Sequence, residues 1–128
     1  MARQWIYSGS KYEELAGYAR AVVDGRFVFV SGTVGADFKT GAFADGAEAQ
    51  SEQAIANIRE ALAKAGSSLE DVVRVRVYVP DPADVMTVSR VMKRHFDKTR
   101  PANTTICTPL TFPEMRVEIE VTALKPEA

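Results

Sequence analysis

What the 128-residue chain lacks narrows its chemistry first. It has one cysteine, Cys107, so it can form neither an intrachain disulfide nor a cysteine-based zinc site. It has one histidine, His95, which excludes paired-histidine metal motifs, and no metal site is expected. The phosphate-cradling patterns GxxxxGK(S/T) and GxGxxG are absent, as is the GxSxG of serine hydrolases. No apolar run approaches the roughly 18 residues of a membrane-spanning helix, so no membrane partner is expected. The first residues carry no apolar stretch of the signal-peptide kind, which makes a cytoplasmic location the expectation. Charge of one sign is also missing. Sixteen Lys and Arg stand against seventeen Asp and Glu, with no basic run, so nucleic acid is not an expected partner. No proline precedes Pro80 and no glycine follows Gly66, yet no linker, repeat or low-complexity segment divides the chain. One domain over residues 1–128 is expected.

What is present reads as a folded α+β domain. At 46% hydrophobic residues the chain can bury a core without staples. Residues 4–7 suggest a short strand. Residues 18–23 and 27–30 suggest two strands joined by an Asp24-Gly25 hairpin turn. Residues 47–65 place Ile55, Ile58, Leu62 and Ala65 on one helical stripe, and Gly66 can end that helix with a positive φ. Residues 72–79 alternate as a strand. Strict alternation puts Val73, Val75, Val77 and Val79 on one face and Val72, Arg74, Arg76 and Tyr78 on the other. A second helix over 83–96 carries Val85, Val88, Met92 and Phe96, and strands follow at 103–108 and 115–124. The order is β-β-β-α-β-α-β-β: one sheet with two helices on one face. The other sheet face carries Arg74 and Arg76 on one strand and Glu118 and Glu120 on another. A solvated face accounts for these charges, and so does the lining of a cleft or of an oligomer interior.

Few residues are equipped for catalysis. Glu118 and Glu120 point to the same side of the last strand. A strand carboxylate can position water or act as a general base. Two carboxylates this close raise one pKa unless a cation intervenes, and Arg74, Arg76 or Arg116 could supply it. A salt-bridge ladder is an equally physical account of these charges. Cys107 reads as a small strand hydrophobe or as a cleft-facing thiol. His95 borders the apolar stripe of the second helix and reads as structural or surface.

In order and spacing, several segments resemble the Rid family, also called YjgF/YER057c/UK114 or endoribonuclease L-PSP. They are Gly17-Tyr18-Ala19-Arg20-Ala21-Val22, Val28-Phe29-Val30-Ser31-Gly32-Thr33, Asp71-Val72-Val73-Arg74, Tyr78-Val79-Pro80-Asp81, Arg100-Pro101-Ala102 and Val117-Glu118-Ile119-Glu120. The resemblance implies a chorismate-mutase-like fold, one mixed sheet of about six strands, and a homotrimer with clefts between subunits. It implies hydrolytic deamination of enamines or imines without metal or cofactor. Glu118 matches the family's catalytic-site glutamate, Tyr18 its cleft tyrosine, and Ser31 and Gly32 its strand-end pair. Thr33, Asn103, Thr104, Thr105 and Cys107 join them as expected substrate-binding residues. The sequence departs at Asn103, where the family places a carboxylate-binding arginine after Pro-Ala. An amide donates a hydrogen bond but brings no charge. This points to a small metabolite other than 2-aminoacrylate, or to a cleft that binds a metabolite without turning it over. A ribonuclease reading has only the family name behind it, with one histidine and no basic cluster.

Overall fold

A computed structural model describes residues 2–127 of the chain. Met1 and Ala128, the ends of the expected domain, lie outside the described residues. Six strands form one sheet in the order β1-β2-β3-β6-β4-β5. In chain order the elements are β1 (Gln4–Ile6), α1 (Lys11–Ala16), β2 (Ala21–Asp24), β3 (Phe27–Val34), α2 (Gly46–Lys64), β4 (Val72–Val79), α3 (Val85–Phe96), β5 (Ala102–Cys107) and β6 (Glu118–Leu124). All neighbours are antiparallel except β4 and β5. That parallel pair needs a crossover, and α3 supplies it.

The β2–β3 hairpin closes through Gly25 and Arg26. Gly25 has a φ of 60°, which the tight turn requires. Helix α2 ends as the sequence implies. Gly66 sits at a φ of 76°, and the Ser67 amide reaches back to the Leu62 carbonyl. The two long helices bury Ile55, Ile58, Leu62, Val88, Met92 and Phe96 against Val28, Val30, Val75, Val77, Val79, Ile119 and Val121. Among the described residues, neither long helix covers the opposite face. There Phe27 and Phe29 stack at 5.8 Å and stay about half exposed, beside the charges of β4 and β6.

Several expectations need correction. The hairpin turn is Gly25-Arg26 rather than Asp24-Gly25, because Asp24 still pairs with Phe27, and β3 runs on to Val34. A third helix, α1, was not expected. It is only six residues long, and among its residues Glu13 alone is buried, so no apolar stripe announces it. It delays β2, expected from Tyr18, until Ala21. In β4 strict alternation fails at the start. Val72 is buried and Val73 is 46% exposed, because the pairing with β6 slips between Val72 and Arg74. Such a bulge puts two residues opposite one and reverses the facing of what precedes it. Helix α3 begins at Val85 rather than Ala83, because the Asp81 carboxylate accepts the Ala83 amide and folds Pro82–Asp84 into a 3-10 turn. Lastly β6 starts at Glu118 rather than Met115, although Met115 and Val117 are still buried. Among the described residues no helix is long and apolar enough to cross a membrane.

Candidate functional site

The first residue of β6 is Glu118, in register with Val34 of β3 and Tyr78 of β4. Pairing of β3 with β6 shifts between Val30 and Thr33, so Ser31 and Gly32 lie in a bulge. The bulge brings the Gly32 Cα against the Glu118 carboxyl. A Cβ there would stand 2.9 Å from Glu118 Cδ and closer still to an oxygen. Glycine is therefore what leaves room for this carboxyl.

The bulge is held from behind by a group the sequence reading did not weigh. Arg20 is 4% exposed. Its Nη1 donates to the Gly32 carbonyl at 2.9 Å and to Thr33 Oγ1 at 3.0 Å. Its Nε donates to Glu13 Oε2 at 3.2 Å, and Glu13 is equally buried. The guanidinium faces the rings of Phe38 at 4.9 Å and Tyr18 at 5.6 Å, and Nη2 lies 3.5 Å from the Tyr18 hydroxyl. Glu13 also accepts the Ser8 amide at 3.0 Å and the Ser8 hydroxyl. Ser31 is fixed separately. Its hydroxyl donates to the Ala19 carbonyl at 2.7 Å and its amide to the Arg20 carbonyl at 2.9 Å.

The electrostatics follow from this packing. Burial pushes the Glu118 carboxyl above its ordinary pKa, Glu120 pushes it further, and Arg20 pulls it back. Glu120 accepts the Tyr78 hydroxyl, and Arg76 stands 3.9 Å away. That hydrogen bond raises the Tyr78 pKa, so the phenol stays a donor at neutral pH. Of the three arginines that could offset the carboxylates, only Arg76 does so among the described residues, and at Glu120. Arg116 is committed to Asp84 at 2.8 Å. Arg74 forms no salt bridge among the described residues, and the cation acting on Glu118 is Arg20.

Tyr18, Ser31, Gly32, Thr33 and Glu118 thus form one cluster within the chain. Asn103, Thr104, Thr105 and Cys107 do not join it there. They lie on the edge strand β5, two strands from Glu118, or about 10 Å at ordinary strand spacing. Their side chains alternate. Thr104, opposite Arg76, shares the open face, while Asn103, Thr105 and Cys107 lie opposite Val75, Val77 and Val79 on the helix side. Asn103 borders a cavity of about 250 Å³ with Val75, Met92, Phe96 and Arg100, and its Oδ1 accepts the Thr105 hydroxyl at 2.9 Å. Arg100 is folded back on Asp97, with Nε 2.6 Å from the Asp97 carbonyl and Nη2 2.8 Å from its carboxylate. His95 bridges the helix layer, 2.6 Å from Glu52, and does not reach the cluster. No group of three or more His, Cys, Asp or Glu able to hold a metal occurs among the described residues.

Arg20 lies inside the Gly17-to-Val22 motif, which is its signal in the sequence. Glu13 has no such signal, since no apolar stripe marks its helix.

A chorismate-mutase-like α+β protomer, with a glycine bulge under a half-buried glutamate, defines the class. Residues 9–125 match the family described as Endoribonuclease L-PSP, and the chain belongs to that family. It is 31% identical over 126 residues to a RutC family protein of Pyrococcus abyssi, covering 98% of this chain and 99% of that one. It is 31% identical over 126 residues to a 2-iminobutanoate/2-iminopropanoate deaminase of Bos taurus, covering 98% and 92%. A crystal structure of a YjgF/YER057c/UK114 family member from Mycobacterium tuberculosis superimposes with a TM-score of 0.87 at 39% identity, covering 96% of this chain and 99% of that one.

Proposed function

We propose that this protein hydrolyses a small enamine or imine at clefts between the subunits of a homotrimer, with Glu118 as the catalytic acid and base. One observation carries this reading: the Glu118 carboxyl is half buried beside Gly32, with a raised pKa and no hydrogen bond among the influences on it. A carboxyl whose protonated form is favoured by burial can both accept a proton and return it. Water adds to the imine carbon while Glu118 takes its proton. Glu118 returns that proton to nitrogen to give a carbinolamine, then takes the carbinol hydroxyl proton and delivers it to nitrogen as the C–N bond breaks, so that the carbonyl forms and ammonia leaves; an enamine first tautomerises to the imine. Relatives named as iminobutanoate/iminopropanoate deaminases support this reaction class.

The cleft completes the site in this reading. β5 is an edge strand with every residue exposed, so the Glu118 cluster of a neighbouring subunit can pack along it, meeting Thr104 on the open face and Asn103, Thr105 and Cys107 from the helix side. Asn103 brings no charge and Arg100 is held by Asp97, so a substrate carboxylate loses a charged hydrogen bond worth roughly 1.5–3 kcal/mol. The substrate is therefore other than 2-aminoacrylate. The test is a panel of freshly generated enamines with wild type and Glu118→Ala. Ammonia release is expected from wild type on some members, with 2-aminoacrylate among the poorest, and a rate at least about a hundredfold lower for the variant. Equal rates for the two proteins would remove Glu118 from the mechanism. The same Asn103 favours a second reading, a binder without turnover. Metabolite binding by calorimetry with no ammonia formed would select it.

A further inference from the structure

We infer that Arg20 is the positioning residue of this site: one buried guanidinium, anchored on Glu13, sets the bulge at residues 31–33 and the tyrosine beside it. The inference rests on the assignment of Glu118 as the reacting group. Its support is geometric. A single side chain touches Gly32, Thr33 and Tyr18, three of the cluster's members, at 2.9, 3.0 and 3.5 Å. Gly32 in turn is the residue packed directly on the Glu118 carboxyl. A shift of the Gly32 carbonyl therefore moves the surface on which Glu118 rests.

The arrangement suits arginine and no other residue. Three anchors in different directions, Glu13, Gly32 and Thr33, need a rigid planar fork, and a lysine ammonium on a flexible stem cannot hold all three. With its donors turned to these partners, Arg20 serves as a fixed charge behind the site rather than as a substrate clamp. Charged and titratable groups near Glu118 are Glu120 on its own strand, Tyr78 opposite it on β4, and Arg20 beyond Gly32, while Arg76 stands at Glu120. Arg20 is the cation that favours the ionised form of Glu118, so its charge keeps the carboxylate available as a base.

The test compares full-length wild type with Glu13→Gln/Arg20→Gln and with Arg20→Lys. The double variant removes both charges together, so no unpaired charge is left buried. NMR titration of the Glu118 side-chain carboxyl and the Gly32 amide shift are read beside the deamination rate. In the double variant the Glu118 pKa is expected to rise, because the cation that holds it down is gone, with the acidic limb of the rate profile moving the same way. In Arg20→Lys the pKa is expected to stay near wild type, while the Gly32 amide shifts and kcat falls about tenfold or more with KM little changed. An unmoved Glu118 titration in the folded double variant would overturn the inference. So would an Arg20→Lys protein with wild-type kcat and Gly32 amide, and this second result decides the matter if the double variant does not fold. The two spectroscopic readouts need no turnover, so a protein inactive on every enamine would sink the deaminase reading while the role of Arg20 is still judged.

Discussion

At the scale of single residues the site depends on two unlike neighbours, a glycine that makes room and a carboxyl that fills it. The clash a Gly32 Cβ would make is with the end of a movable side chain rather than with backbone. Gly32→Ala should therefore fold and melt near wild type while its Glu118 swings aside. A rate loss of about a hundredfold with little change in melting temperature is expected, since small misplacements cost that much. Glu118 itself should trade stability for chemistry. Its pKa is raised in the folded chain, so the native state binds the proton more tightly than the unfolded state. The carboxyl costs nothing while it is protonated in both states, and becomes destabilising as pH rises from the unfolded carboxyl range through the folded one. Glu118→Gln should melt higher than wild type at neutral pH, and the difference should close in acid. A constant difference across that range would contradict the raised pKa. The Val117-Glu118-Ile119-Glu120 pattern made this residue legible in the sequence. The partner cation was not legible, because Arg74, Arg76 and Arg116 share its neighbourhood in the strand pattern and Arg20 reaches it only through a bulge.

Elements with long periodicity could be read directly. Helix α2 needs its stripe of Ile55, Ile58 and Leu62, and the hairpin needs Gly25; both are local properties of the sequence. The bulges at Val30/Thr33 and Val72/Arg74 could not be read, because a register slip is decided by the partner strand. Helix α1 escaped for a related reason, being held by one buried charge rather than by an apolar face. A second glycine shows how closely elements meet. A Cβ on Gly35 would run into the backbone of Gln50 in α2. Backbone cannot swing aside as the Glu118 side chain can. Gly35→Ala should accordingly push α2 off β3 and cost about 1–3 kcal/mol, read by urea denaturation, whereas Gly32→Ala should not. Similar losses for both would mean that the two contacts do not differ in this way.

For the whole molecule, the sheet is half covered. Two helices bury one face, while the other leaves Phe27 and Phe29 about half exposed beside an edge strand with every residue exposed. Long exposed edges and apolar patches invite association. Alternation in the strands makes the polar second face legible, but a trimer is implied only by the resemblance, since a surface does not state its own symmetry. Light scattering at micromolar concentration should give a particle of three chains, and Phe29→Glu should shift it toward one. A monomeric wild type would leave the cleft without its second wall.

The Glu13–Arg20 pair has one more effect, on how the protein comes apart. Helix α1 buries no apolar side chain of its own; Leu15 is 80% exposed. Its opening would therefore expose little surface, and the free energy of that opening should depend only weakly on urea. Hydrogen exchange of the Gly17 and Tyr18 amides, both bonded to the Glu13 carbonyl, should proceed by such a local opening while the sheet stays closed. Such an opening would release the N-terminal segment and loosen the floor of the site while the core stays folded.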